Sequence, residues 1–559
     1  MKVLVISLLR IGDLLMQAPA LKGIRDRYPD CKIDLLVNRQ CASIVPLFPN
    51  MNRTFLFDRD NYQKAMASAE THLYASYFAL ETLINELNEQ DYDLILNWTH
   101  NRVSGFLMGS LNSKNRLGLE IKGEKKNVYG NWFQYLNQTQ SNRQNLFHYS
   151  DFFIQSLGLE APRLDECLNA GTAQASKASG LKIAIQVLTA DPKKNWPLSK
   201  YANTIESLLA EFKDCSVSLL SAPSEKPKIE LFKRTYFATE SRVQIFCANF
   251  ADTFQLLNQT DLLITGDTSI KHLASYSRSA ILEIILGSSQ MHETGVYKEG
   301  QWMIQNMAAC SPCPHRDPCA QKSHLCSERI SASVVTQLAI SILKKEKPVF
   351  TTQETERNNL RVYVSRRDGQ LMWQIESQFE TVFEPNSLIQ NVDRSVWKFI
   401  LSQRDASHTF QKESSQLLKS IQIFVDYHFE QTAQVLSAEN ERTLKALKVM
   451  DEVKKMLTTH FPRLFQQPSA FKMEVLCLTS FKEEIQKKLR AVSDPNGYTR
   501  SLQLSLMTQD SPFVATRKIR DALNETRLRL NIRKDLLKHL IAAGGFHERK
   551  DRKISSNLT

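Results

Sequence analysis

The sequence predicts an α/β protein with two successive halves, each built on a parallel β-sheet, followed by a mainly helical C-terminal region. Three observations support this prediction. Apolar runs alternate with helix-patterned segments up to residue 345, a small polar stretch interrupts the pattern once, and the chain becomes rich in Leu, Gln, Lys and Glu from residue 394. Continuous apolar strands separated by helices are typical of parallel sheets that are covered on both faces.

The first half opens with a strand, a turn, a helix and a second strand. Lys2–Leu9 is a continuous apolar strand, and Leu14–Tyr28 has the pattern of one helix, although it contains Pro19. Lys32–Val37 is predicted to be the second strand, and Asp93–Asn97 (DLILN) a later one. These strands are short, continuous and apolar, as expected for a buried parallel sheet.

The same pattern restarts after the small polar stretch. Lys182–Val187 is predicted to be a strand, and Ser199–Phe212 an amphipathic helix. Three further strands follow at Ser216–Leu220, Asp261–Thr265 and Ile281–Leu286, and the last of these is predicted to close the series. The two α/β halves are therefore expected to be of similar size.

The C-terminal third has a different character. Two alternating runs within Leu360–Ile375 flank an Arg-Asp-Gly turn, which predicts a β-hairpin. Helices are predicted within the later segments Ser414–Glu430, Glu441–Thr459 and Ala515–Leu540, which carry apolar residues at helical spacing. The predicted organisation is an N-terminal Rossmann-like domain at 1–168, a linker at 169–180, a second Rossmann-like domain at 181–345, a hairpin-containing connector at 350–393, a helical domain at 394–545 and a disordered basic tail at 546–559.

Composition restricts the class of protein and of partner. The chain has 559 residues, of which 42% are hydrophobic and 23% charged, as in a soluble protein of several domains. The net charge of +12 indicates either a solvated basic surface or phosphate-bearing partners, which would be nucleotides, nucleic acid or an anionic membrane surface. No apolar run reaches the roughly 18 residues of a membrane span, and the first residues do not resemble a signal peptide. We therefore expect a cytoplasmic protein.

The first candidate site is Arg10-Ile11-Gly12-Asp13, at the end of the first strand. Ligands of open α/β sheets bind beyond the carboxyl ends of the strands. Gly12 allows a tight turn and a close backbone approach. Asp13 either caps the helix that follows or acts chemically, and its position alone leaves both interpretations open. One glycine and one aspartate do not make a dinucleotide fingerprint.

The second candidate site is the loop from Thr189 to Pro197, which follows a strand and precedes a helix. Lys194 in this loop either contacts a phosphate as a point charge or is an exposed loop lysine.

The third candidate site is Gly266-Asp267-Thr268-Ser269-Ile270-Lys271-His272, again after an apolar strand. A helix N-terminus suits a pyrophosphate, and Asp267 can accept hydrogen bonds from sugar hydroxyls. The alternative is an aspartate N-cap with a packed histidine.

These elements together resemble glycosyltransferase family 9, the heptosyltransferases. VLVISLLRIGDLLMQAPALKGIRDRYPDCKIDLLV resembles the opening of the family, and Asp93–Gly118 resembles the middle of its first domain. Further matches are Lys194-Asn195-Trp196-Pro197, the turn from Ser221 to Glu225, and the segment from Gly266 to Ala274, which is similar to the family's Asp-Ser/Thr-Gly-x-x-His signature. The resemblance covers residues 1 to about 345, in the family's order.

The resemblance implies a GT-B fold and inverting, metal-independent transfer from an ADP-sugar, with no cofactor. The acceptor would be a lipopolysaccharide core or a related glycoconjugate. Carried over by position, the implied roles are these: Asp13 as general base, Lys194 and Thr189 at the donor phosphates, Glu225 at the ribose, Asp267 at the sugar, Thr268 and Ser269 at the pyrophosphate and His272 in support. A different donor or a protein-glycan acceptor is the alternative within this class.

The chain departs from the family at several positions. Ser269 stands where the family usually has glycine, and Tyr276 and Arg278 replace small apolar residues. A non-catalytic nucleotide-sugar-binding protein with the same fold therefore remains a second alternative. For the helices after residue 394 the sequence allows a packed or oligomerising domain or a peripheral membrane contact. It does not favour nucleic-acid binding, because no aromatic-basic platform occurs.

Four cysteines cluster at Cys310, Cys313, Cys319 and Cys326. The first pair has the two-residue gap of metal ligands, but the second pair does not. The spacing leaves open a structural zinc ion, reduced thiols or a disulfide.

Overall fold

The structure of the chain is a computed structural model that describes residues 1–67, 72–139, 145–169, 180–308, 310–314, 317–321, 323–349, 359–367, 372–377, 385–401, 417, 429–460 and 512–543. The chain divides into two compact units. The first comprises residues 1–133 and 147–379, and the second comprises 134–146 and 380–559. Most of the linker predicted at 169–180 and all of the tail predicted at 546–559 lie outside the described residues.

The first unit contains two sheets. The strands of the first sheet are β1 (Lys2–Ser7), β2 (Lys32–Asn38), β3 (Arg53–Phe57), β4 (Tyr92–Asn97), β5 (Ser113–Lys122) and β6 (Lys125–Tyr129). They lie in the order β3-β2-β1-β4-β5-β6. Strands β1 to β5 are parallel, and β6 pairs antiparallel with β5.

The second sheet has eight strands. They are β7 (Lys182–Ile185), β8 (Ser216–Ser221), β9 (Val243–Cys247), β10 (Leu262–Thr265), β11 (Ala280–Ile285), β12 (Trp302–Asn306), β13 (Leu360–Arg367) and β14 (Trp373–Ser377). Their order is β14-β13-β12-β11-β10-β7-β8-β9. Strands β7 to β12 are parallel, whereas β13 and β14 form an antiparallel hairpin at one edge.

Helices connect and cover the strands. They are α1 (Ile11–Met16), α2 (Ala18–Arg27), α3 (Arg59–Ala67), α4 (His72–Asn88), α5 (Arg102–Ser110), α6 (Asn131–Thr139), α7 (Tyr149–Ser156), α8 (Leu198–Glu211), α9 (Lys226–Tyr236), α10 (Phe250–Leu257), α11 (Ser269–Ala274), α12 (Met291–Thr294), α13 (Leu325–Glu328) and α14 (Ala332–Lys344). Two mainly parallel sheets with flanking helices confirm the predicted α/β fold class.

The central strands of both sheets are apolar on both faces, and their burial stabilises the sheets. In β1, every residue from Val3 to Ser7 is buried. On one face of the first sheet, Leu83 and Leu87 of α4 pack beside Leu107 of α5. Burial of each such side chain contributes roughly 1.5–3 kcal/mol. The second sheet packs in the same way against helices α8 and α14.

In both sheets, the order in which successive strands are added reverses at an equivalent place. The chain extends from β1 through β2 to β3 and then returns to β4 on the other side of β1; it likewise extends from β7 through β8 to β9 and returns to β10. The carboxyl ends of strands at such a switch point form a natural crevice for ligands. The loops after β1, β7 and β10 all lie at these two points, and they carry the three predicted sites.

Two predictions about the elements were wrong. The segment predicted as one helix, Leu14–Tyr28, contains two helices, α1 and α2, with Gln17 between them. Pro19 causes the break, because it has no N–H to donate to the carbonyl of Leu15. The strand predicted to close the second sheet is followed by β12, and the predicted hairpin extends the same sheet as β13 and β14. The turn of that hairpin at 368–371 lies outside the described residues.

A buried polar cluster connects α7, which follows the first sheet in the chain, to the second sheet. Asp151 of α7 accepts a 2.6 Å hydrogen bond from the Tyr297 hydroxyl, which in turn accepts one of 2.8 Å from Arg367 of β13. The Arg367 guanidinium also lies 4.3 Å from the centre of the Tyr297 ring. Nearby, Nε2 of His148 lies 2.9 Å from the carbonyl of Gly295.

The second unit is helical in its described part, as predicted. Its long helices are α15 (Pro385–Leu401), α16 (Phe429–His460) and α17 (Pro512–Ala543). Leu388 of α15, Leu436 of α16 and Leu537 of α17 belong to one apolar core. Most of the helix predicted at 414–430 lies outside the described residues. None of the helices in the described ranges is long and apolar enough to cross a membrane.

Arg533 of α17 holds two buried carboxylates in this unit. Its Nε donates to Asp393 at 2.7 Å, and its Nη2 donates to Glu439 at 2.8 Å. Replacement of Arg533 by Met should lower the free energy of unfolding by about 3–5 kcal/mol, because two buried carboxylates lose the guanidinium that they share. Calorimetry of the full chain measures the shift of the corresponding thermal transition.

The matched control is Arg527→Met on the same helix, which removes a more exposed ion pair with Asp451. Exposed pairs contribute about 1 kcal/mol or less. Equal shifts for the two variants would show that the Arg533 cluster does not hold the helices together.

Candidate functional site

Asp13 lies in the first turn of α1, directly after β1. Its Oδ2 accepts a 3.1 Å hydrogen bond from the backbone N–H of Arg10, the N-cap residue. The capping role considered for Asp13 is therefore present, and Oδ1 forms no hydrogen bond within the described part of the chain. The side chain is partly exposed. Burial by the surrounding protein nevertheless raises the pKa of Asp13, against the opposing effect of Arg10.

Gly12 lies at a close contact between the two halves of the first unit. A Cβ atom at this position would lie 3.0 Å from Cδ2 of His272, a residue of α11 in the second half. Helices α1 and α11 therefore pack directly on each other here. The reason for a glycine is this close approach, and the consequence is that Asp13 lies beside the donor-side residues.

Tyr276 makes a second connection at this junction. Its hydroxyl donates a 2.6 Å hydrogen bond to the carbonyl of Leu15 in α1. This carbonyl would accept the N–H of residue 19 in a continuous helix, but Pro19 has none. The Tyr276 hydroxyl thus replaces the donor that the helix break removes, and it anchors α1 to the second half. Tyr276 is one of the residues at which the chain departs from the family.

Lys194 and Asp267 form an ion pair at the second switch point. Lys194 ends a 3-10 turn, Pro192–Lys194, after β7, and its Nζ donates to Asp267 Oδ2 at 2.6 Å. Asp267 follows β10, and its Oδ2 also accepts a 2.9 Å hydrogen bond from Ser289. The structure thus brings together two residues that are 73 positions apart in the chain.

Lys271 and Glu283 complete this cluster, and the sequence reasoning missed both as site residues. Lys271 Nζ donates to Asp267 Oδ1 at 2.6 Å and to Glu283 Oε1 at 2.9 Å, and both Lys271 and Glu283 are buried. A signal was present in the sequence. Glu283 interrupts the otherwise apolar strand AILEII, and a carboxylate is rarely buried without a partner.

The ionisation of the cluster follows from these contacts. Burial alone would raise the pKa of Asp267, but the ammonium groups of Lys271 and Lys194 outweigh it and hold that pKa well below its usual range. Burial and the nearby Lys271 hold the pKa of His272 well below its usual range. At neutral pH, Asp267 is therefore a carboxylate and His272 is uncharged.

Three of the remaining predicted residues lie around the Lys194–Asp267 pair. The Thr189 hydroxyl donates to the carbonyl of Asp191 at 2.7 Å, within the loop that carries Lys194. Thr268 is the N-cap of α11 and accepts a hydrogen bond from the Lys271 backbone N–H. Ser269 is the first residue of that helix. Its Cα lies 3.9 Å from the place that a Cβ on Gly12 would take.

Glu225 lies at the same carboxyl edge of the second sheet but farther along it. It follows β8, and its Oε2 accepts a 3.1 Å hydrogen bond from the backbone N–H of Ala222. This contact stabilises the turn before α9.

The four clustered cysteines are free thiols in the structure. Cys313 and Cys326 are buried, and burial raises the pKa of both thiols. In the part of the chain that is described, no group of three or more His, Cys, Asp or Glu side chains has the geometry of a metal site. His315, within the cluster, lies outside the described residues.

Two Rossmann-like sheets, whose switch points meet around two carboxylates and two lysines, define an α/β protein of the two-domain GT-B type. Residues 80–324 match the model of glycosyltransferase family 9 (heptosyltransferase). This match confirms the resemblance to family 9 that was found in the sequence.

Two individual relatives are named as glycosyltransferases of related kinds. A Haemophilus influenzae protein, provisionally named a glycosyltransferase, is 24% identical over 301 residues, which are 49% of this chain and 79% of the relative. Lipopolysaccharide heptosyltransferase 3 from Escherichia coli is 29% identical over 125 residues, which are 22% of this chain and 34% of the relative.

Solved structures show a weaker likeness. The E. coli heptosyltransferase WaaC with ADP aligns at 17% identity over 61% of this chain and all of its own, with a TM-score of 0.46. E. coli ADP-heptose lipopolysaccharide heptosyltransferase II aligns at 16% identity over 62% of this chain and 99% of its own, with a TM-score of 0.45. The family assignment rests on the sequence match.

The contact between Gly12 and His272 can be tested by substitution. Gly12→Ala should destabilise the protein by about 1–3 kcal/mol, because the added methyl group enters a filled space. The same change in a His272→Ala background should cost much less. The measurement is thermal unfolding of the four proteins of this double-mutant cycle.

Gly266→Ala is the control, since a Cβ there would meet only ordinary contacts of 3.4 Å or more. An equal loss in both backgrounds would show that His272 is not the obstacle.

Proposed function

We propose that the chain transfers a heptose or a related sugar from an ADP-sugar to a hydroxyl group of a lipopolysaccharide core or a related glycoconjugate. The reaction inverts the anomeric carbon and uses no metal ion. One observation carries the proposal: Asp13, from the switch point of the first sheet, lies close enough to Asp267 and Lys194 of the second sheet to be affected by the charge of both. The match of residues 80–324 to family 9 supports it.

Asp13 is the proposed general base. Its carboxylate takes the proton of the acceptor hydroxyl while the hydroxyl oxygen attacks the anomeric carbon. The bond from that carbon to the diphosphate breaks at the same time, and ADP leaves with the electron pair. The transition state resembles an oxocarbenium ion. The raised pKa of Asp13 makes it a stronger base than an ordinary aspartate.

Lys194 is the proposed partner of the donor diphosphate. Within the described residues it donates one hydrogen bond, to Asp267, so two of its three N–H groups remain for a phosphate. The leaving group gains negative charge as it departs, and a fixed cation stabilises that charge. Thr189, Thr268 and Ser269 lie near this position. Glu225 is the proposed partner of the ribose, and His272 supports the donor site.

An exposed apolar surface marks the proposed acceptor side. The residues of this aromatic patch are Tyr74, Tyr77 and Phe78 of α4 and Val103 and Phe106 of α5, with exposures between 41% and 72%. They occupy the first turns of both helices. The ends of these helices are neighbours, since Asn88 donates to the carbonyl of Ser110. Their beginnings therefore lie toward the carboxyl edge of the sheet, where Asp13 is. Exposed apolar patches are typical of lipid or partner contacts, which suits an acceptor in a membrane surface.

Ser269 favours one alternative. Its side chain replaces a glycine at the junction of α1 and α11, where the backbone approaches Gly12 closely. A protein that binds a nucleotide sugar without transferring it would tolerate such a change. A transferase that uses another donor sugar or a protein-glycan acceptor would also do so. Turnover separates the non-catalytic case from the main proposal, and the nucleotide that binds separates the case of another donor sugar.

Asp13→Asn should lower turnover by about 10²–10⁴-fold, the usual contribution of a general base. The amide oxygen still accepts the Arg10 N–H, so the helix and ADP affinity should be unchanged. In the wild type, turnover should fall as pH falls through the raised pKa of Asp13, because the protonated carboxyl cannot accept the proton. Initial rates with ADP-heptose and a lipopolysaccharide-core acceptor, measured across a range of pH, test both points.

The control is Asp30→Asn, an exposed aspartate in the turn before β2. Unchanged turnover in Asp13→Asn would remove Asp13 from the mechanism. Thermal-shift measurements with ADP, UDP and GDP complete the test. A selective ADP shift supports an ADP-sugar donor, and a UDP or GDP shift favours another donor. An ADP shift without turnover would favour the non-catalytic alternative.

The aromatic patch predicts a membrane contact. Tyr77→Ser/Phe78→Ser should lower affinity for vesicles that contain an anionic lipid by about tenfold or more, because each aromatic ring loses apolar burial. ADP binding should not change. Leu231→Ser, on the exposed face of α9 in the second half, is the matched control. Equal vesicle binding by all three proteins, measured by cosedimentation, would place the membrane contact elsewhere or exclude it.

A further inference from the structure

Lys271 is a completely buried lysine with all of its donors occupied. Its three N–H groups contact Asp267 Oδ1 at 2.6 Å, Glu283 Oε1 at 2.9 Å and the carbonyl of Thr294 at 2.6 Å. The exposed fraction of its side chain is 0%. Lysine is almost never buried to this extent without paired charges. Lys271 therefore has no N–H left for a substrate, and any effect that it has on the reaction passes through Asp267.

Lys194 contacts the same carboxylate in a different way. It donates to the other oxygen of Asp267, and 14% of its side chain is exposed. Its two remaining N–H groups have no partner within the described residues. Of the two lysines that contact Asp267, Lys194 can therefore move to bind a phosphate. Lys271 has no free donor and remains bonded to Asp267.

Movement of Lys194 would ordinarily be costly. A buried carboxylate that loses its cation incurs a desolvation penalty of several kcal/mol unless it takes up a proton. Asp267 avoids this penalty because Lys271 and the Ser289 hydroxyl remain bonded to it. Glu283 accepts a second hydrogen bond of the Lys271 ammonium and also one of 3.0 Å from the Val296 N–H.

We propose that Lys271, held by Glu283, is a positioning residue for donor binding: it keeps Asp267 ionised when Lys194 moves from Asp267 to the diphosphate of the donor. The inference rests on the proposed function in one respect, that a nucleoside diphosphate is the ligand of Lys194. Asp267 then stays a carboxylate throughout, and it can accept hydrogen bonds from the hydroxyls of the donor sugar.

Several charged groups face Asp267. Lys194 approaches from the turn after β7, Lys271 and His272 from α11, and Asp13 from α1. His272 Nε2 lies 3.9 Å from Asp267 Oδ1. His148 is a further group that lowers the pKa of His272. Without Lys271, the pair of Asp267 and His272 would have to bind a proton whenever Lys194 leaves, because no other cation remains next to the carboxylate among the described residues.

The test removes the pair without changing its net charge. Lys271→Met/Glu283→Gln should bind ADP normally at low pH and progressively more weakly as pH rises. Each pH unit above the pKa of the Asp267–His272 pair costs a factor of about ten in affinity, since binding now requires a proton. The ratio of variant to wild-type dissociation constants, measured by calorimetry at several pH values, cancels the titration of ADP itself. A ratio that stays constant with pH would overturn the proposal.

Lys344→Met/Glu211→Gln is the matched control, because it removes an exposed ion pair elsewhere in the second half with the same change of residue types. Its ADP affinity should follow the wild type at every pH. Lys194→Met distinguishes a failure of the proposed donor site from a failure of the proposed role of Lys271. If it leaves ADP affinity unchanged, the proposed donor site fails. If it weakens ADP binding while Lys271→Met/Glu283→Gln shows no pH dependence, only the role of Lys271 fails.

A second measurement uses the wild-type chain and so does not depend on how the variants fold. In an experimental structure of the ADP complex, Lys194 Nζ should lie at a phosphate oxygen and no longer at Asp267. Lys271 Nζ should keep its contacts with Asp267 and Glu283. A complex in which Lys271 has moved, or in which Lys194 still contacts Asp267, would contradict the proposal.

Discussion

The candidate site depends on a single carboxylate, that of Asp267, whose side chain is only 12% exposed, and on the two ammonium groups that share it. A carboxylate in this position is unfavourable unless cations and donors surround it, so every element that contributes one is constrained. The ion pair with Asp267 fixes Lys194 and the turn after β7, and a second ion pair with Asp267 fixes Lys271 and α11. The ion pair of Lys271 with Glu283 connects α11 to β11. The carboxyl edge of the second sheet is thereby organised before any ligand arrives.

The first sheet is joined to this centre through one short helix. Gly12 allows α1 to approach His272, and Tyr276 bonds to the carbonyl that the helix break at Pro19 leaves free. The same break ends α1 after six residues. Asp13 is consequently held beside the cluster by backbone contacts rather than by its own side chain, which leaves one carboxylate oxygen for chemistry.

Much of the fold could be predicted from the sequence, because its strands are continuous and apolar. The strands at β1, β7, β10 and β11 were recognised in this way, as were the loops that follow three of them. Other elements carry weaker signals. Strands β5 and β6 are rich in charged residues and were not predicted, and the membership of β13 and β14 in the second sheet depends on hydrogen bonds to β12 that no local pattern reveals.

The same distinction between local sequence signals and tertiary contacts applies to the candidate site. The sequence by itself determined which loops carry chemistry, since Asp13, Lys194 and Asp267 each follow an apolar strand and motif order indicates the family. Only the tertiary structure decided how these residues are paired. Ion pairs between Asp267 and the two lysines, and the role of Glu283 as counter-charge, depend on distances between side chains from separate strands. Such distances arise from the order of strands in the sheet and from burial, neither of which is encoded at any single position.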